Sequence, residues 1–477
     1  MIGKWMKLAV LIPALAAGVA RAQSGTVSGV VKDINGGGAL PGVTISDGSQ
    51  SVTTGSDGSY QLTESAGKKT LTASTTGYLT TSQVTTVSSG VTNVVNWALT
   101  HSYGTQVIPA TRMNYTVLAW NDLGMHCDQD DYSYFMVLPP YNTLHVEAIN
   151  RHGGFLSGSG YTVSYSFPKK TNSTLHTNFW SYASQYGFNV APNVGIKGYG
   201  LSGNMAADPN GHGWIAEGIP VTPYDDDGTW DPFGAATVTL SQNGSTLQTA
   251  TVVAPVSTEM MCVNCHSASN PQLDILQKHD SHNGTTLASD QSKGIVHACS
   301  QCHSDNVLGA PGQPGVESLS LAMHNFHKDK MNATATATNT TPDCYNCHPG
   351  PKTQCLRGIM SRAGKSCHDC HGDMYGMTSS LQGGRQAWLQ EPRCDSCHDA
   401  KHAENAGTLY RNSVFQNSPD GDMNNRLYCE ACHNGTHGEF ITSVAADPSI
   451  PQKFQGDSYW IWNCTVCHQF GSGTMHR

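Results

Sequence analysis

Seven times between residues 262 and 468 the chain repeats Cys-x-x-Cys-His: CVNCH, CSQCH, CYNCH, CHDCH, CDSCH, CEACH and CTVCH. These copies use fourteen of the 16 cysteines, and no other feature limits the fold as tightly. Zinc ribbons take Cys-x-x-Cys motifs in pairs, and seven is odd. A dithiol redox centre needs one such motif in a strand–helix–strand setting, which does not surround these. A disulfide framework gives no reason for a histidine after every second cysteine. Cys-x-x-Cys-His is the attachment signature of c-type haem: both thiols add to vinyl groups, and the adjacent imidazole becomes the proximal iron ligand.

The expectation is therefore seven covalently bound haems c. Their thiols are Cys262 and Cys265, Cys299 and Cys302, Cys344 and Cys347, Cys367 and Cys370, Cys394 and Cys397, Cys429 and Cys432, and Cys464 and Cys467. The proximal ligands are His266, His303, His348, His371, His398, His433 and His468. One motif falls in about every 31 residues of 262–477, too dense for an ordinary apolar core. Residues 258–477 are expected to form a heptahaem domain of loops and short helices packed around haems, close enough for electrons to pass between them.

The sixth iron position separates a wire from an enzyme, because catalysis needs it open. Nine further histidines lie in this region. KHDSH supplies His279 and His282, and AMHNFHKD supplies His324 and His327, each an i, i+3 pair on one helical face. His402 and His437 each follow a proximal histidine by four residues, and His476 stands one residue from the C-terminus. These seven are the candidate distal ligands. His297 and His368 are reserves pinned beside attachment loops, and Met360, Met374, Met377 and Met475 are the thioether alternatives. Two cysteines remain, Cys127 and Cys355; they either pair as a disulfide or stay as two buried thiols.

Residues 1–22 combine Lys4 and Lys7, an apolar run from Leu8 to Ala20, and an Ala20-Arg21-Ala22 cleavage site. That is a secretory signal peptide, and no later segment is apolar enough to span a membrane. The expected location is outside the cytoplasm: periplasm, outer cell surface or medium. Removing Lys4, Lys7 and Arg21 takes the formal charge from −9 to −12, and no basic run suggests a nucleic-acid partner.

Short Val/Thr/Ile runs separated by Gly/Asp/Asn/Ser turns make residues 23–102 read as a β-sandwich and 103–257 as a second β-rich domain. Asn243-Gly244 is a hairpin turn signal. Asp225, Asp227 and Asp231 around Gly228 form an oxygen-rich loop of the kind that can hold calcium, although a solvated turn is the commoner outcome. His126, Cys127, Asp128, Asp130 and Asp131 form a second cluster, read as structural more readily than as a metal site. The Thr/Ala stretch TATATNTTP between the second and third motifs reads as a linker.

SGVVKDINGGGALPGVTISDG…TTGSDGSYQL in the N-terminal part resembles carboxypeptidase regulatory-like domains, which implies a small sandwich without catalysis. The layout as a whole resembles the secreted multihaem c-type cytochromes of dissimilatory metal-reducing bacteria. WNDLGMHC…LPPYNTLH (120–145) and AGTLYRNS…LYCEACHNGTH (406–437) are similar to segments that recur in that group. The resemblance implies bis-histidine haems and electron transfer to partner cytochromes or extracellular metal oxides. A subunit of a conducting filament is one alternative. A multihaem reductase of a small oxyanion such as nitrite is another; a lysine in place of a proximal histidine often marks such enzymes, and all seven motifs here end in histidine. The chain reads as an electron carrier more than as an enzyme.

Overall fold

The computed structural model describes residues 24–33, 38–99, 113–338, 344–390, 414–416 and 426–467, apart from 77, 79, 153, 157, 159, 210–212, 268 and 351. The expected signal peptide lies outside the described residues. The chain is multidomain and β-rich. It divides into two units, one built from residues 24–99 and the other from 113–467.

The first unit is two sheets around one core. Ser24–Asp33 lies between antiparallel Ser59–Ser65 and the parallel strands Thr92–Val94 and Trp97–Leu99. The second sheet runs Ser51–Thr53, Thr44–Ser46, Gly67–Ser74, Thr81–Val87 in spatial order. Alternation decides which faces are buried: Tyr60 and Leu62 of Ser59–Ser65 point inward with Val27, Val31, Ile45, Leu71 and Leu99, while their neighbours face water. Tyr60 donates from its hydroxyl to Val95 O (2.7 Å) and accepts from Trp97 Nε1 (3.0 Å), so its one buried polar atom is satisfied. Gly29 allows close strand crossing, since a Cβ there would lie 1.9 Å from Val95 O.

The second unit carries two antiparallel sheets. In one, Thr143–Asn150 pairs with Tyr115–Asn121, Trp214–Glu217 and Gly154–Phe155. In the other, Thr162–Ser166 and Ala235–Gln242 are central, with Ser202–Asn204 and Ser245–Val253 at the edges. The hairpin turn falls on Asn243 and Gly244, both at positive φ (50° and 77°), as its Asn-Gly sequence favours.

Residues 103–257 and 258–477 read as two domains in sequence, yet the described parts of both share a core. Tyr428, Ala431, Ile450, Phe454 and Val466 are buried with Val117, Leu144, Tyr165, Val238 and Val252. Thr116 Oγ1 donates to Val466 O across that boundary. A short parallel bridge, Phe135–Met136 with His297–Ala298, also crosses it, while His126–Cys127 pairs with Val256–Ser257 at its edge.

Arg357 is the largest polar side chain sealed inside. Its Nε and Nη2 pair with Asp447 at 2.7 and 3.0 Å, Nη1 donates to Gly124 O, and its guanidinium lies 5.0 Å from the Phe233 ring centroid. Three remote segments are thereby tied to one cation. Among the described residues no helix is long and apolar enough to cross a membrane. The longest helix, Leu319–Thr338, takes in the first half of the Thr/Ala stretch that reads as a linker, because alanine favours helix.

Truncating one partner of a buried ion pair strands the other charge, typically at about 3–5 kcal/mol. Arg357→Ala is expected to lower unfolding free energy by that order in a denaturant titration, whereas Lys278→Ala, which breaks an exposed pair with Asp274, should change it little.

Candidate functional site

Each described motif closes one helical turn. His266 N, His303 N and His348 N accept the geometry by donating to the carbonyls of Cys262, Cys299 and Cys344, each at 2.9 Å. Cys367–His371 and Cys429–His433 are single α-turns, the former opened by a Ser366/Asp369 capping box. One turn brings both thiols and the imidazole to the same side, which is what the spacing encodes.

The turns face one cavity of ≈ 2590 Å³, lined by both cysteines and the terminal histidine of the first, second, third, fourth and sixth motifs, and by Cys467 of the seventh. A pocket for a single small ligand measures about 300–1,000 Å³, so this space would take several. Its wall includes Val263, Val316, Met323, Phe326 and Trp462, apolar side chains left substantially exposed in the folded chain. Cys394, Cys397, His398, His402, His468 and His476 lie outside the described residues, and Cys464 opens a described turn.

Across the cavity, histidines face each other in pairs. His279 stands 6.4 Å from His303, His324 stands 6.2 Å from His348, and His437 stands 6.2 Å from His371, between ring centroids. With a metal–imidazole bond of about 2 Å on each side of one ion, two trans imidazoles have centroids roughly 6.3 Å apart. The three pairs have the spacing that two histidines holding one metal ion between them would need.

Hydrogen bonding fixes the tautomers that such a role needs. Nδ1 of His303 faces Glu317 O (2.7 Å), of His324 Ser320 O (2.7 Å), of His327 Met323 O (2.7 Å) and of His437 Leu123 O (2.8 Å). A carbonyl only accepts, so Nδ1 carries the proton and Nε2 keeps its lone pair for a metal. His266 Nδ1 meets Asp274 Oδ2 at 2.9 Å, and His279 Nδ1 meets Thr285 Oγ1 at 2.9 Å, in the same arrangement. Burial, then the facing histidine, pushes His348 and His371 down to about 4, so both rings are neutral at pH 7. His279 and His324 are lowered too, with burial the main cause.

The remaining candidates separate clearly. His282 and His327 line the cavity on either side of Phe326, at 5.1 and 5.2 Å between rings. His297 has both nitrogens engaged at 3.3 Å, Nδ1 with Gln301 Oε1 and Nε2 with Asp290 Oδ2. His368 is not part of the cavity wall. Met377 Sδ accepts from Arg385 Nη2, while Met360 and Met374 line the wall and Met475 lies outside the described residues. His437 follows the sixth motif yet faces His371 of the fourth, a pairing that sequence spacing did not signal. Nor did it signal Glu317 O and Leu123 O, since a backbone acceptor leaves no mark in residue type.

The oxygen-rich loop around Gly228, which could hold calcium but reads more readily as a solvated turn, holds a lysine. Lys170 Nζ lies 3.2 Å from Asp225 Oδ1 and donates to Asp231 O at 2.7 Å, so an ammonium sits among the acids. In the second acidic cluster His126 pairs with Asp122 (2.6 Å), Asp128 accepts from Tyr132 and Gln129, and Asp131 accepts from Ser133 and Asn178. Among the described residues no three or more His, Cys, Asp or Glu side chains converge on a metal-sized space. An iron in a porphyrin needs two axial ligands only.

No family model matches the chain, and no curated protein matches it. Among solved structures, a DUF3823 family protein from Bacteroides ovatus shares 12% identity over 49% of this chain and 99% of its own, with a TM-score of 0.14. The major pilin subunit of Bacillus cereus shares 10% over 49% of this chain and 69% of its own, TM-score 0.14. A cohesin–X-dockerin complex from Acetivibrio cellulolyticus shares 20% over 15% of this chain and 52%, about half, of that one, TM-score 0.13.

Burial raises Asp128 from 3.8 to about 7. Its acid form is the one the fold favours, so this contribution is full below about pH 4 and is lost as pH rises through about 7. Asp128→Asn keeps an acceptor for Tyr132 and is expected to remove that decline, raising the thermal midpoint over wild type at pH 8 but not at pH 4. Parallel melting curves across this range read the difference.

Proposed function

We propose that the chain is an exported multihaem c-type cytochrome that relays single electrons to partner cytochromes or extracellular metal oxides. The observation that carries this reading is the facing imidazole pairs, 6.2–6.4 Å apart, each including a motif histidine and each set in one cavity with the motif thiols. Bound haem would supply one-electron exchange.

The chain's own residues do the rest. The cysteine pairs would hold the groups covalently, so that none is lost outside the cell. His303, His348 and His371 would be proximal ligands, with His279, His324 and His437 opposite. Acceptors on Nδ1 of His279, His303, His324 and His437 fix the rotation of those rings, and the apolar wall limits water, so little around them needs to rearrange when the charge of the site changes. Neighbouring sites are in contact: Asn264 of the first motif donates to Asn346 O of the third at 3.4 Å, and the loop after the sixth motif supplies the imidazole facing the fourth. The signal peptide expected at 1–22 motivates the location, and the acidic balance favours cationic partners or positively charged oxide surfaces.

Intact-mass analysis should give seven haems per chain, and low-temperature EPR with near-infrared magnetic circular dichroism of the oxidised protein should show low-spin bis-histidine iron throughout. His437→Ala is expected to convert one haem in seven to a high-spin signal, while His368→Ala leaves the spectra unchanged. High-spin iron in the unaltered protein would sink the wire reading and favour the oxyanion reductase.

A further inference from the structure

Of the 16 cysteines, only Cys127 and Cys355 stand outside the seven motifs, and the fold sets their segments side by side at two points. On one flank Cys127 is the register neighbour whose cross-strand partner is Ser257, and Thr353 Oγ1 donates to Ser257 Oγ at 3.0 Å. On the other flank Arg357 Nη1 reaches both Gly124 O and Cys355 O, the latter at 3.4 Å. Cys355 thus sits between Thr353, which bonds the strand paired with Cys127, and Arg357, which bonds the segment carrying Cys127 itself. Both side chains line the same cavity, and each sulfur is enclosed. In the structure both are free thiols.

We propose that Cys127 and Cys355 are joined by a disulfide in the exported protein, clamping the loop between the third and fourth motifs to the β body. The inference rests on the exported location in the proposed function but not on haem binding. The oxidant is a protein disulfide of the compartment, acting by thiol–disulfide exchange. One thiolate of the pair attacks that disulfide; the second then attacks the mixed disulfide. A Cys127–Cys355 sulfur–sulfur bond forms, the partner's sulfur–sulfur bond breaks, and the two thiol protons and two electrons leave with the partner as a dithiol.

Timing follows from burial, which pushes both thiols up to about 12 and so makes thiolate scarce once the segments are docked. Exchange belongs to the stage before docking, and the finished bridge is shielded from reductant. The bridge also settles a rivalry: Cys355 and Cys367, the first attachment thiol of the fourth motif, line the same cavity. A free thiol there competes to cross-link Cys367, which would block attachment.

Peptide mapping by mass spectrometry of the purified full chain, alkylated in denaturant without reductant, tests the bridge directly. A cross-linked peptide pair containing Cys127 and Cys355 is expected; alkylation of both overturns the proposal. Haem absorbance of the same sample keeps the two readings apart, since seven haems with two alkylated thiols defeats the bridge alone, and a bridge without haem defeats the cytochrome alone. Cys127→Ser should lower the haem-to-protein ratio below seven, and Cys127→Ser with Cys355→Ser should restore it. Full haem loading in the single variant would overturn the shielding of Cys367.

Discussion

A backbone carbonyl facing the Nδ1 of a histidine is the small interaction on which the arrangement of the cavity depends. It orients the ring, fixes the proton on one nitrogen and aims the other into the open space. Leu123 O does this for His437, Glu317 O for His303 and Ser320 O for His324. These acceptors come from a β-body loop, a turn and a helix, so three kinds of backbone converge on one task. Free rotation of any of these rings would cost both the facing distance and the tautomer.

The cavity wall is held in place by what surrounds it. The β body supplies a conventional packed core in which Tyr428, Phe454 and Val466 of the C-terminal segment are embedded. The Arg357–Asp447 pair, with no side-chain exposure on either partner, holds loops that have little secondary structure of their own. Polar anchoring does there what apolar packing does in the β body.

The motif turns were legible in the sequence because one helical turn relates a first cysteine to a histidine four positions on. The spacing of His279 and His282 put both on one helical face, and the structure sets them on Pro271–Asn283, capped by Asn270 and closed by Gly284 at φ 69°. Alternation in Ser59–Ser65 and the Asn243-Gly244 turn marked β structure for equally local reasons. What stayed hidden was long-range. The lysine among Asp225 and Asp231 lies more than fifty positions upstream, so the acids looked uncompensated. The shared core across residue 257 and the pairing of His437 with His371 depend on which surfaces meet, and residue type does not encode that.

The facing pairs are also a statement about chronology. The helix after the first motif carries His279 to the second, the helix after the second carries His324 to the third, and the loop after the sixth carries His437 back to the fourth. A chain emerging from its N-terminus can complete the earlier pairs almost as soon as each motif appears. The fourth must wait until the sixth has emerged and docked on Leu123. On the proposed reading the pair at the fourth motif would therefore be the last of the three to close, a delay set by topology and not by the chemistry of attachment.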